Sequence, residues 1–166
     1  MRILGIDPGV ATLGFGVIDQ QHNQLQAVDF GCIQTAATIS FPQRIYQIHH
    51  QLTDILLQYS PDVVIVEELF FSKNVKTAIQ VAQARGVVIL TAMQKGLEVK
   101  EYTPLQVKQS VVGYGRATKD QIQKMVKMLL KLPQLPHPDD AADALAVAIC
   151  YAHSRKFDEL VKKANR

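Results

Sequence analysis

Cysteine is scarce in this chain. Cys32 and Cys150 are its only two, and they stand far apart in sequence. No Cys-x-x-Cys or Cys/His ligand spacing is present. That argues against a structural zinc site, and reduced thiols fit a cytoplasmic home. Long apolar runs are also missing, so no transmembrane helix is expected. The N-terminus lacks a basic region followed by a long apolar stretch, so no signal peptide is expected either. Charge of one sign is modest: 18 Lys and Arg against 15 Asp and Glu leave a net +3 and a pI near 8.9. That balance permits a polyanionic partner without requiring one. The 166 residues, 48% hydrophobic and 20% charged, suffice for one domain with a core that needs no staples. The expected organisation is a single domain over residues 1–155 and a polar C-terminal tail over residues 156–166.

The first seventeen residues organise the rest. Arg2 to Ile6 reads as a short apolar strand ended by the turn signal Asp7-Pro8-Gly9, and Leu13 to Asp19 as the returning strand. Asp7 therefore stands at the tip of a central strand, with glycines after it that leave room for a ligand. Asp before Pro also simply initiates turns, so Asp7 gains meaning only if other acids arrive at the same place. Leu25 to Gln34 reads as a third strand, completing an antiparallel meander. Ser40 caps a helix from Pro42 to Tyr59 whose apolar stripe is Ile45, Ile48, Leu52, Ile55, Leu56 and Tyr59. His49 and His50 diverge by about 100° on that helix, which makes them surface or partner-facing residues rather than joint metal ligands.

Val63 to Val66 is a continuous β-branched run, the pattern of a buried parallel strand. It ends in Glu67-Glu68. Successive strand side chains face opposite ways, so only one of these acids shares a face with Asp7, and periodicity leaves open which. Phe70 and Phe71, beside Lys73 and Lys76, suit base stacking with phosphate contact, with one phenylalanine expected in the core and one exposed. A helix rich in small residues follows over Val75 to Lys95, then a fifth strand over Leu97 to Tyr102. Thr103-Pro104 starts a short helix, and Thr118 caps another running from Lys119 to Lys131. On the latter, Ile122, Met125, Val126 and Leu129 form the apolar face, and Lys124, Lys127 and Lys131 a solvated one. Lys108, Arg116 and Lys119, near the loop Gly113 to Thr118, are the more directed cations.

Asp139-Asp140-Ala141-Ala142-Asp143 opens a helix that is apolar on nearly every side to Cys150, and such a helix is buried. Asp140 and Asp143 share one face of it. Helix capping accounts for one acid but not for Asp143, one turn inside. A buried unpaired carboxylate costs several kcal/mol unless it is neutralised. Either a divalent cation or an ion pair, with Arg85 or a lysine, is required there. Oxygen-only ligands at three places in the chain favour Mg²⁺ or Mn²⁺, and two such ions together support phosphodiester cleavage.

The order of elements and acids is ribonuclease H-like. Gly5-Ile6-Asp7-Pro8-Gly9 with Gly14-Phe15-Gly16-Val17 resembles the start of the RuvC family of Holliday-junction resolvases. So do Val66-Glu67 with Phe70 and Lys73-Asn74, Gln83 to Val87, Val107 to Gly113, and Asp140 to Ala146. The resemblance covers nearly the whole chain. It implies a five-stranded mixed sheet, three strands antiparallel and two parallel, flanked by helices. It implies a catalytic and metal-binding tetrad of Asp7, Glu67, Asp140 and Asp143, choosing Glu67 over Glu68. Asp139 is a third acid beside the family's pair and leaves open which of Asp139 and Asp140 binds metal more tightly. The resemblance further implies that Phe70 stacks on an opened base and that Lys108 and Lys119 reach the scissile region. Lys73, Asn74, Lys76, Arg85 and Arg116 complete the expected DNA contacts. A homodimer acting on a four-way DNA junction is implied too, together with the RuvA–RuvB branch-migration machinery. The dimer surfaces expected are the small-residue helix and the stripe around His49. The competing readings are an RNA nuclease of the YqgF type, an ATPase of the actin and sugar-kinase group, and a non-catalytic junction-binding module. The Phe70 and Lys108 motifs oppose the first, the single Asp-x-Gly motif and short chain the second, and the intact acid set the third.

Overall fold

The computed structural model describes residues 1–22, 24–69 and 75–164. In chain order the elements are β1 (Arg2–Asp7), β2 (Thr12–Gln21), β3 (Gln24–Gln34), α1 (Phe41–Tyr59) and β4 (Val63–Glu67). They continue as α2 (Val75–Gln94), β5 (Glu98–Tyr102), α3 (Pro104–Val112), α4 (Lys119–Leu129) and α5 (Asp139–Ala164). The five strands form one sheet in the order β3-β2-β1-β4-β5. β1 runs antiparallel to β2 and parallel to β4, and β5 extends the sheet in parallel with β4. The expected mixed sheet is therefore present, with β1 at its centre.

Strand alternation sorts the side chains into two cores. Leu4, Ile6, Val17, Val64 and Val66 face α1 and α2, joined by Leu52, Leu56 and Val88. Ile3, Ile18, Val63 and Ile65 face the other way, toward α3, α4 and α5, joined by Val107, Ile122, Leu145 and Ile149. By the same alternation Gly5 and Asp7 of β1 and Glu67 of β4 belong to the α5 face.

Capping fixes the helix starts. Thr118 and Thr103 each accept a hydrogen bond from the backbone three residues on and donate their own backbone N–H to that residue's glutamine side chain. The backbone N–H of Ser40 donates to Gln43 Oε1 at 2.9 Å. α4 ends at Leu129, short of the expected Lys131, because Leu130 turns into the core and Lys131 adopts φ 53°. His49 is half-buried rather than simply partner-facing: its Nδ1 lies 2.8 Å from Thr91 Oγ1, which donates to the Val87 carbonyl and so ties α1 to α2. His50 is exposed beside Asp54. Among the described residues, no helix is long and apolar enough to cross a membrane.

α5 packs tightly against the glycines of β1 and β2. A Cβ on Gly5 would overlap the Ala144 carbonyl, and one on Gly14 the Asp140 carbonyl. A Cβ on Gly16 would lie 2.8 Å from the Leu145 nitrogen. These glycines do not hold space for a ligand, as the sequence reading expected. They hold space for α5, whose Ala141, Ala142, Ala144 and Ala148 are fully buried. Gly14→Ala is expected to lower stability by about 1–3 kcal/mol, a fall of roughly 2–12 °C in melting temperature. Gly86→Ala, where an added Cβ meets nothing within 4 Å, is expected not to lower it. Thermal denaturation followed by circular dichroism compares the two.

Candidate active site

β1 and β4 are in parallel register with Ile6 opposite Val66. One residue further on, both strands end in an acid on the α5 face, Asp7 and Glu67. Glu68 points away and spends its backbone N–H on the Tyr102 carbonyl at 2.8 Å. The register thus makes the choice between the two glutamates that periodicity left open. α5 starts across the same strand ends because Gly14, paired with Asp7 across β1 and β2, receives the Asp140 carbonyl. That contact sets Asp140 and Asp143 beside the strand-tip acids.

Asp7, Glu67 and Asp143 line a cavity of about 320 Å³, walled by Val107, Ile122, Pro104 and Ala146 and flanked by Lys108 and Lys119. Asp140 borders the group from the first turn of α5, close enough for its charge to act on both Asp7 and Asp143. The apolar wall has an electrostatic consequence. Burial first, then the charges of Asp143 and Asp140, push the Asp7 carboxyl up to about 7. Burial and the charges of Asp7 and Asp143 push Glu67 up to about 8. Both carboxyls are thus held above the usual carboxylate range by burial and by each other's and the neighbouring acids' charge. Asp143 is also raised by burial, against the pull of Lys119.

Lys119 Nζ lies 3.4 Å from Asp143 Oδ2, and these acids raise the lysine in turn, Asp143 most. Asp143 therefore has the lysine partner that the sequence allowed, not Arg85. Arg85 instead pairs with Glu101 on β5. Asp139 turns outward and accepts a hydrogen bond from Gln123 Nε2 at 2.8 Å. Arg116 is exposed on the loop between α3 and α4. Phe70, Lys73 and Asn74 lie outside the described residues, and so does the expectation that one of Phe70 and Phe71 is core. Lys76 falls in the first turn of α2, its side chain outside the description.

One neighbour was not anticipated. Cys32 pairs with Gly14 across β2 and β3 and lies beneath the acids. Burial and the charge of Asp140 push its thiol up to about 11, against a hydrogen bond from the Ala141 backbone. Its isolation in sequence hid it, and only the register Asp7–Gly14–Cys32 reveals it. As for a cation, the donor set fits a hard one: oxygen only, clustered and mutually repelling, with a single lysine in ion-pair contact. Among the described residues no three His, Cys, Asp or Glu side chains stand as a ready-made cage.

The family model for crossover junction endodeoxyribonuclease RuvC matches residues 3–151. The chain belongs to the RuvC family. It is 56% identical to the crossover junction endodeoxyribonuclease RuvC of Alkaliphilus oremlandii over 98% of this chain and 99% of that one. It is 52% identical to that of Syntrophomonas wolfei, covering 99% and 95%. Thermus thermophilus RuvC, solved in complex with a Holliday junction substrate, superposes with a TM-score of 0.90 at 33% identity, covering 95% of this chain and 96% of that one. The fold is thus ribonuclease H-like and the family one of junction nucleases, which bears out the expected architecture and activity class.

The raised carboxyls make stability depend on pH. Their folded pKa values, about 7 and about 8, lie above the unfolded ones, so the folded chain holds extra protons between those limits. The stabilisation is complete below roughly pH 4 and is lost as pH rises through about 7 to 8. In chelator, the melting temperature is expected to fall across that window, and Asp7→Asn to flatten the fall. Parallel curves for the two proteins would show that Asp7 is not the titrating group.

Proposed function

We propose that this chain resolves four-way DNA junctions by two symmetric nicks on opposed strands, leaving 5′-phosphate and 3′-hydroxyl ends. The observation that carries the reading is the single cavity where Asp7, Glu67 and Asp143 meet Lys108 and Lys119. Acids able to hold cations and lysines able to hold a phosphate serve one reaction, hydrolysis of a phosphodiester. Asp7, Glu67, Asp140 and Asp143 would hold two Mg²⁺ ions, with Mn²⁺ as a substitute. When bound, such a pair would activate water and offset charge on the leaving oxygen. Lys119, paired with Asp143 and largely exposed, stands within reach of a phosphate at the cavity. Lys108 approaches from α3. Phe70 stacks on an unpaired base, and Lys73, Asn74, Lys76 and Arg116 hold backbone phosphates around it. Arg85 enters this set less directly, through the α2–β5 contact that its pair with Glu101 makes.

Two opposed nicks need two sites related by a two-fold axis, which a C₂ homodimer provides. Tyr46 on α1 and Ile79, Leu90 and Met93 on α2 are exposed apolar side chains on the helices expected to pair. The RuvA–RuvB complex is the expected supplier of junctions.

Asp7→Asn is expected to abolish nicking of a labelled four-way junction while leaving junction binding intact, since phosphate contacts lie elsewhere. Near-normal Mg²⁺-dependent cleavage by that variant would refute the role of Asp7. The nick map on the junction, beside a linear duplex and an RNA substrate, tests the reaction class. Lys108→Ala and Lys119→Ala should each slow cleavage more than Lys127→Ala does. Equal losses would mean that only general charge matters.

A further inference from the structure

The loop between α3 and α4 runs from Gly113 to Thr118. Gly113 ends α3 with φ 91° and donates its N–H to the Gln109 carbonyl at 2.9 Å. Gly115 lies so close to Leu105 that a Cβ there would overlap the leucine side chain. Ala117 is 4% exposed in the core beneath α5. Thr118 then caps α4. What remains is Tyr114, 45% exposed, and Arg116, also exposed, alternating outward with the two inward residues. Leu105, 53% exposed, adds an apolar edge on which the loop rests. Tyr114 and Arg116 both present side-chain surface to solvent, between Lys108 and Lys119 in the chain, the two cations that flank the acidic cavity.

An exposed aromatic two residues from an exposed arginine, bordered by lysines, suits one occupant best: a nucleic-acid strand with an unstacked base or sugar on the ring and a phosphate on the cation. A protein partner would sooner meet an apolar surface depleted of lysine. We infer that Tyr114, with Arg116 two residues on, is a second aromatic platform that positions the DNA strand next to the scissile phosphate. This inference rests on the nuclease reading above. Tyr114 positions the strand and touches no reacting group of the protein, so its removal falls on substrate binding.

The test uses full-length protein and a four-way junction carrying 2-aminopurine, placed in turn at nucleotides on either side of the mapped cut. Tyr114→Ala is expected to raise KM by roughly 5- to 100-fold, the range of one lost base–aromatic stack, with kcat changed far less. It should also relieve quenching of the 2-aminopurine at one flanking position. Tyr114→Phe, which keeps the ring, should behave as wild type in both readouts, and both variants should melt as wild type. Unchanged KM and quenching in Tyr114→Ala, with a wild type that nicks the junction, overturn the inference and leave the nuclease reading standing. A lowered melting temperature with unchanged KM overturns it too, because the ring is then structural. A wild type that neither nicks nor prefers the junction overturns both.

Discussion

The structure depends on the contact between α5 and three glycines of β1 and β2. A helix whose inner face is alanine meets strands that lack Cβ atoms, and the two backbones approach as closely as sterics allow. Nothing larger fits at Gly5, Gly14 or Gly16 without moving the helix. The contact is also what assembles the site. Asp140 sits on Gly14, Asp143 follows one turn later, and both are thereby delivered to the tips of β1 and β4. The same contact that closes the core creates an electrostatic problem at its rim.

That problem has two partial solutions within the chain. One is protonation, favoured at Asp7 and Glu67 because burial and neighbouring charge raise both. The other is Lys119, paired with Asp143 from across α4. Both are replaceable. A proton leaves a carboxyl pair when a stronger positive charge arrives, and a lysine that is mostly exposed swings away at little cost. Oxygen donors gathered in this way have the chemistry that a hard cation favours. The apolar wall of Val107, Ile122 and Ala146 strengthens any electrostatic interaction made inside it.

Much of this was legible in the sequence, because local rules and tertiary structure agree there. The meander, the β-branched run of β4, the caps at Ser40, Thr103 and Thr118, and the buried alanine helix all follow from short-range pattern. The acids stood out because Asp143 lies inside an apolar helix with no local reason to be charged. Other features were not legible, for particular reasons. The choice of Glu67 over Glu68 needs the parallel register of β1 and β4, a long-range fact; the family resemblance supplied it where periodicity did not. The glycines read as space for a ligand because a missing side chain does not announce which atom fills its place. Cys32 became a neighbour of the acids only through two strand pairings. The partner of Asp143 was open between arginine and lysine, and the path of α4 chose Lys119.

The central claim is that the acids gathered by the α5–glycine contact form a divalent-cation site. Anomalous diffraction from crystals of the wild-type protein grown with Mn²⁺ tests it most directly. The account predicts density for the ion among Asp7, Glu67, Asp140 and Asp143, with Lys119 displaced from Asp143. Full Mn²⁺ exposure with no anomalous peak at those carboxylates, and the Lys119–Asp143 pair intact, would contradict it.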